Sequence, residues 1–170
     1  MNLIRAIATV GGLTLISRLL GFIRDVLIAA ILGAGLLADA FFIAFKLPNL
    51  FRRIFAEGAF SSAFVPILMG KIENSGKPSA MQFSEYVLSL LIVILLLLTV
   101  AAEIFMPWIM YVLAPGFVEN SEKFDLTVVF TRITFPYLIC ISIVSLFSGV
   151  LNSFGRFYEA ALTPVMLNLC

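Results

Sequence analysis

The sequence predicts an all-α fold: a polytopic membrane bundle of four transmembrane helices and the start of a fifth. Three observations predict it. Of the 170 residues, 62% are hydrophobic and 12% charged, against roughly 45–50% and about 25% in a soluble domain. The apolar residues come in blocks long enough to cross a bilayer, which takes about 20 residues. The breaks between blocks are short and marked by glycine or proline.

The first helix is expected over 5–32 and is closed by Gly33-Ala34-Gly35. The second is expected over 36–65, ended by Pro66. The third, over 83–106, surrounds the charge-free run Tyr86–Ala102 and is closed by Pro107 and Trp108. Trp108 and Tyr111 suit an interfacial aromatic belt. The fourth, over 126–151, surrounds the charge-free run Ile133–Gly155 and should bend or tighten at Pro136 and Gly149. A fifth apolar stretch covers 158–170 and is cut short at Cys170. All 170 residues read as one partial membrane lobe, without repeats. The Lys71–Ser79 loop is its one soluble break and is too short for a domain boundary. Arg5 followed by the uncharged Ala6–Ser17 has the outline of a signal peptide. Arg18 and more helix stand where a small-residue cleavage site would be.

Loop charge sets the expected orientation. Arg5, Lys71, Lys77 and Arg156 fall on one side, while Lys123 stands on the other beside Glu119, Glu122 and Asp125. The positive-inside rule then puts the N-terminus in the cytoplasm.

Composition also excludes several functions. With no histidine, Ser-His-Asp and Cys-His catalysis, histidine metal sites and imidazole relays are ruled out. A formal net charge of +1 without a basic run lacks the footprint of a nucleic-acid binder. Cys140 and Cys170 read as small buried hydrophobes. No metal or cofactor is expected, and no motif of a phosphatase or glycosyltransferase appears, so the chain is not expected to be an enzyme.

The informative residues are the charges inside the first two helices. Arg18 falls near the bilayer centre, with Arg24 and Asp25 roughly 9–11 Å further outward along the axis. Arg18 and Asp25 share a face, as do Ser17 and Arg24. The second helix carries Asp39, Lys46, Asn49, Arg52, Arg53, Glu57 and Ser61. Asp39, Lys46 and Arg53 recur at i+7, and Asn49, Arg53, Glu57 and Ser61 at i+4, which reads as one polar stripe with Arg52 about 100° to its side. Pro48 should kink the helix beside it. Each such charge costs about 2.5–3.5 kcal/mol near mid-membrane. Internal pairing covers Asp25 with one arginine and Glu57 with Arg53, and snorkelling is an equal alternative for Asp39. Arg18, Arg24 and Arg52 then compete for too few carboxylates. The surplus is positive, and a watery cavity lined by arginine forks suits an anionic guest, above all a phosphate.

These residues also carry a family likeness. Ser17-Arg18-Leu19-Leu20-Gly21-Phe22-Ile23-Arg24-Asp25 resembles the opening helix of the MurJ/MviN lipid II flippases. The likeness continues through Ala38-Asp39-Ala40-Phe41-Phe42, Lys46-Leu47-Pro48-Asn49-Leu50 and Arg52-Arg53-Ile54-Phe55-Ala56-Glu57-Gly58-Ala59-Phe60, and on to Ala114-Pro115-Gly116-Phe117 and Thr134-Phe135-Pro136-Tyr137. It therefore spans essentially the whole chain. The resemblance implies the N-terminal lobe of a two-lobed, fourteen-span member of the multidrug/oligosaccharidyl-lipid/polysaccharide exporter superfamily. Such proteins move undecaprenyl-diphosphate-linked peptidoglycan precursor (lipid II) from the inner to the outer leaflet of the bacterial cytoplasmic membrane by alternating access, for cell-wall biogenesis. It implies diphosphate contacts for Arg18, Arg24, Asp25, Arg52 and Arg53, and gating or coupling roles for Asp39 and Glu57. It implies as partners lipid II, membrane lipids and a second lobe, without which this piece is expected to be inactive. A related polysaccharide-lipid exporter and a non-transporting helical scaffold are the alternatives.

Overall fold

A computed structural model describes the backbone of residues 3–54 and 59–169 and the side chains of residues 8–54 and 62–169. The described residues form helices and turns, with no strand among them. Helix α1 spans Leu3–Leu32 and α2 spans Leu36–Arg52. Gly33 makes the corner between them at φ 64°, its N–H donating to the Ala29 carbonyl at 3.0 Å. A left-handed residue after a helix end is where glycine is favoured.

Helix α2 runs unbroken through the buried Pro48 and closes after Arg52 in a wider π-type turn at 53–54. The helix expected over 36–65 thus changes from α to π at 53–54, residues 55–58 lie outside the described residues, and Pro66 ends nothing. It lies inside α3, Ala59–Leu113, as does Pro107. Proline forfeits one hydrogen bond, about 3 kcal/mol in water. In an apolar setting, leaving the helix would orphan several backbone groups at once, so continuing through the proline costs less.

The real interruption of α3 is Gly76, at φ 78° and ψ 170°. It ends the segment 59–75, and Pro78 sits in the first turn of the segment 77–113, where a missing N–H is harmless. The loop expected over Lys71–Ser79 therefore shrinks to a single-residue break. Phe83, just beyond it, stacks on Phe64 from the segment before it at 5.9 Å, and the Lys71 ammonium lies 5.2 Å from the same ring. At about 1.5 Å per residue the 77–113 segment is roughly 55 Å long, well beyond the hydrocarbon thickness of about 30 Å.

After a short 3₁₀ turn at Pro115–Phe117, α4 spans Ser121–Thr134, capped by the Asn120 side chain, which accepts from the Lys123 N–H at 3.0 Å. Thr127, Thr131 and Thr134 each bond back to the carbonyl four residues earlier, a habit that bends helices. Pro136 then supplies the break before α5, Tyr137–Ser153. The helix expected over 126–151 is divided at Phe135 and Pro136, but both keep helical backbone angles and the turn tightens there, as expected at Pro136, so 121–153 runs on as one stretch. Helix α6 spans Phe157–Leu169.

Helix α4 packs on α2, α5 on α3, and α6 on both α5 and α1. Phe135, Leu68, Leu95, Met106, Met110, Leu138 and Leu146 are fully buried where these layers meet, with Phe51 edge-on to Phe135 at 5.8 Å. Outside that core the surface is apolar: Leu15, Leu19, Phe22, Val26 and Ile31 of α1 are exposed. A protein dissolved in water does not leave such a continuous face bare. Cys140, expected to be buried, lies exposed on α5, one heptad from the exposed Phe147. Two helical stretches, 62–113 and 121–153, are long and apolar enough to cross a membrane. Helix α1 has the length but carries four charges, and α2 and α6 have 17 and 13 residues.

Gly149 marks the tightest approach of α5 to α3: a β-carbon there would lie 3.4 Å from the Phe64 ring and 3.5 Å from Val65. Gly149→Ala should be close to neutral. Gly149→Leu should overpack the seam and cost about 1–3 kcal/mol, read as a lowered thermal midpoint of the detergent-solubilised protein.

Candidate functional site: a polar cavity between α1, α2 and α6

A cavity of about 650 Å³ opens between α1, α2 and α6, touched by Tyr137 at the start of α5. Helix periodicity explains its walls. On α2 the positions Phe41, Phe45, Asn49 and Arg52 recur every three or four residues and face inward. On α1, Ser17, Arg24 and Ile28 do the same, with Asp25 at the edge.

Its charged residues are Arg24, Asp25 and Arg52, so the lining has one surplus positive charge (two cations less one anion). Arg24 holds its neighbour through Nε and Nη2, which donate to Asp25 Oδ1 at 3.2 and 3.0 Å. Its Nη1 donates to Asn168 Oδ1 of α6 at 3.0 Å. The Asn168 Nδ2 in turn donates to the Ser17 carbonyl at 2.9 Å and to Ser17 Oγ at 3.0 Å. The half-buried Arg52 donates from Nε to Asn49 Oδ1 at 3.3 Å. It also borders a second cavity of about 230 Å³ between α5 and α6, where Ser145, Ser148 and Thr163 add hydroxyls to an apolar wall.

Other expected residues lie elsewhere. Arg18 is exposed on α1 and Arg53 is exposed beyond the end of α2; neither lines the cavity. Lys46 is exposed as well. On α2 both Asn49 and Arg52 reach the cavity, while Arg53, about 100° round the helix from Arg52, does not. Glu57 and Ser61 lie outside the residues whose side chains are described. Asp39, at the first turn of α2, is ion-paired with Lys123 of α4, some ten residues or about 15 Å along the helix from Asn49. The Lys123 ammonium also lies 4.1 Å from the Phe117 ring centroid. A separate pair, Glu103 with Arg132, joins α3 to α4 away from the cavity, Arg132 Nε donating to the Glu103 carbonyl at 3.2 Å.

Two partners were missed by sequence reasoning, Asn168 and Lys123. For Asn168 a signal existed: it is a lone amide within the apolar stretch 158–170, and an amide in lipid is costly unless bonded. Lys123 looked like loop charge, and nothing in spacing ties residue 123 to residue 39.

A cavity among apolar helices whose polar wall is built from guanidinium and amide groups is suited to hold an anion. Comparison with known proteins agrees with the likeness of the motifs. The family model described as "Lipid II flippase MurJ" matches residues 28–170. A probable lipid II flippase MurJ of Rhizobium meliloti is 53% identical over 169 residues, covering 99% of this chain and 32% of that protein. A probable lipid II flippase MurJ of Rickettsia prowazekii is 45% identical over 170 residues, 100% of this chain and 33% of that protein. The lipid II flippase MurJ of Burkholderia cenocepacia is 43% identical over 169 residues, again covering 99% and 33%. The chain spans about a third of the length of these curated relatives. With the match extending over most of its residues, the chain belongs to the lipid II flippase MurJ family.

Proposed function

We propose that this chain forms the first part of the N-terminal lobe of a lipid II flippase, and that its cavity wall receives the diphosphate of an undecaprenyl-diphosphate-linked muropeptide. In this reading the full-length protein carries that lipid from the inner to the outer leaflet of the bacterial cytoplasmic membrane by alternating access. Lipid II, membrane lipids and the second lobe are its partners. It crosses the membrane four times and begins a fifth crossing, with the N-terminus in the cytoplasm, as its loop lysines and arginines favour.

The observation that carries the reading is the presence of Arg24 and Arg52 on one cavity with a single carboxylate between them. Two guanidinium forks and one surplus charge suit a diphosphate, which presents several acceptor oxygens and at least two negative charges. Phe41, Phe42 and Phe45 on the adjoining wall offer apolar surface to the rest of the guest. Asp39 serves as a gate residue: its pair with Lys123 ties the start of α2 to α4. Arg18, Arg53 and Glu57 belong to the proposed site by family likeness alone.

The test is complementation of a cell depleted of its own flippase by the full-length protein. Arg24→Ala and Arg52→Ala should each lower transport about 10- to 100-fold, the worth of a lost charge-assisted bond, and Arg24→Lys should fall between. Full rescue by both alanine variants would favour a scaffold over a transporter. At the gate, Asp39→Lys or Lys123→Asp alone should impair rescue, and the double exchange should restore most of it.

A further inference from the structure

The Arg24 side chain is long and rotatable, and a phosphate site needs it to stay where a guest can meet it. We infer that Asn168 is the positioning residue for Arg24: its amide fixes the guanidinium in the cavity and thereby makes the anion site depend on α6. The inference rests on the flippase reading above and deepens it.

The amide has only one orientation that works. The Ser17 carbonyl is an acceptor with no proton to give, so it must meet the Nδ2 end, at 2.9 Å. Ser17 Oγ, at 3.0 Å, engages the same nitrogen. That leaves Oδ1 facing Arg24 Nη1 at 3.0 Å. A flipped amide would set an oxygen against the Ser17 carbonyl and N–H groups against a cation. Ser17 is buried, so its side of the clamp is shielded from competing solvent. Gly21, between Ser17 and Arg24 on the same face, lies against the amide: a β-carbon there would sit in ordinary contact with it at 3.5 Å, and a longer side chain would compete for its place.

The clamp also determines what Arg24 has left to offer. A guanidinium carries five N–H donors. Nε and one N–H of Nη2 go to Asp25, and one N–H of Nη1 goes to Asn168, so two remain for a guest. Without Asn168 the guanidinium would be held by Asp25 alone, an exposed neighbour in sequence that moves with the same helix and cannot aim it across the cavity.

The experiment measures binding of undecaprenyl diphosphate to the full-length protein in detergent, for the unmodified protein, Arg24→Ala, Asn168→Leu and the double variant. Asn168→Leu keeps the bulk and removes the amide. It should weaken binding about tenfold, and the double variant should bind no worse than Arg24→Ala alone, because Asn168 acts through Arg24. Unaltered affinity in Asn168→Leu, or losses that simply add, would overturn the inference, whatever happens to thermal stability. Should Asn168→Leu fail to fold, Ser17→Ala is the readout: about threefold weaker binding that vanishes in the Arg24→Ala background supports the inference, and no change overturns it. If the unmodified protein does not bind, or Arg24→Ala binds as well as it does, the flippase reading itself fails, which separates the two outcomes.

Discussion

A guanidinium among apolar helices has to be given partners, because neither lipid nor packed side chains can replace its water. The polar architecture follows from this constraint. Arg24 is held by a neighbouring carboxylate and an amide from α6, Arg52 by an amide one turn back, and Arg132 by a carboxylate and a carbonyl on α3. Each solution recruits a different helix or turn, so satisfying the charges also decides which helices lie together. The α1–α6 contact is the clearest case. Two helices at opposite ends of the chain meet around one asparagine, whose amide lies against a glycine.

The same constraint accounts for the cavity. Pairing consumes three of the five N–H donors of Arg24, and the other two have to face something polar. Between α1 and α2 they face open volume rather than a third helix. The lining retains one formal positive charge, because Arg18 is exposed on α1 and does not border the cavity. Affinity for an anion then depends on placement more than on quantity of charge, since a few well-aimed donors in a low-dielectric pocket outweigh many on a wet surface.

Much of this was legible in the sequence, for identifiable reasons. Charges at 24, 25 and 52 inside apolar helices announce themselves because they are expensive. Periodicity told that Asp39, Lys46 and Arg53 share a face, but not that Lys46 and Arg53 stay exposed and Asp39 pairs with α4 while Asn49 and Arg52 border the cavity; which side chain meets which neighbour is a tertiary fact. Pro66 and Pro107 read as helix ends only by a rule drawn from water, where an abandoned helix can hydrate its backbone. Gly76 followed by Pro78 held the true break, one residue long where a loop was expected. Lys123 gave no sign because its partner lies 84 positions away, and the lone amide of Asn168 announced a need for partners without telling that they lie as far as 151 positions back.

The break at Gly76 has a mechanical consequence. A left-handed glycine is a one-residue elbow, and two torsion angles set the direction of everything before it relative to the long helix after it. Left alone, such an elbow would swing. Here the arms are packed together: Phe83 from one arm is stacked on Phe64 and approached by Lys71 from the other, and Leu68 and Ala80 on either side are buried in the same core. The angle between the two arms is therefore set by packing across the joint, in which the Phe83 ring takes part.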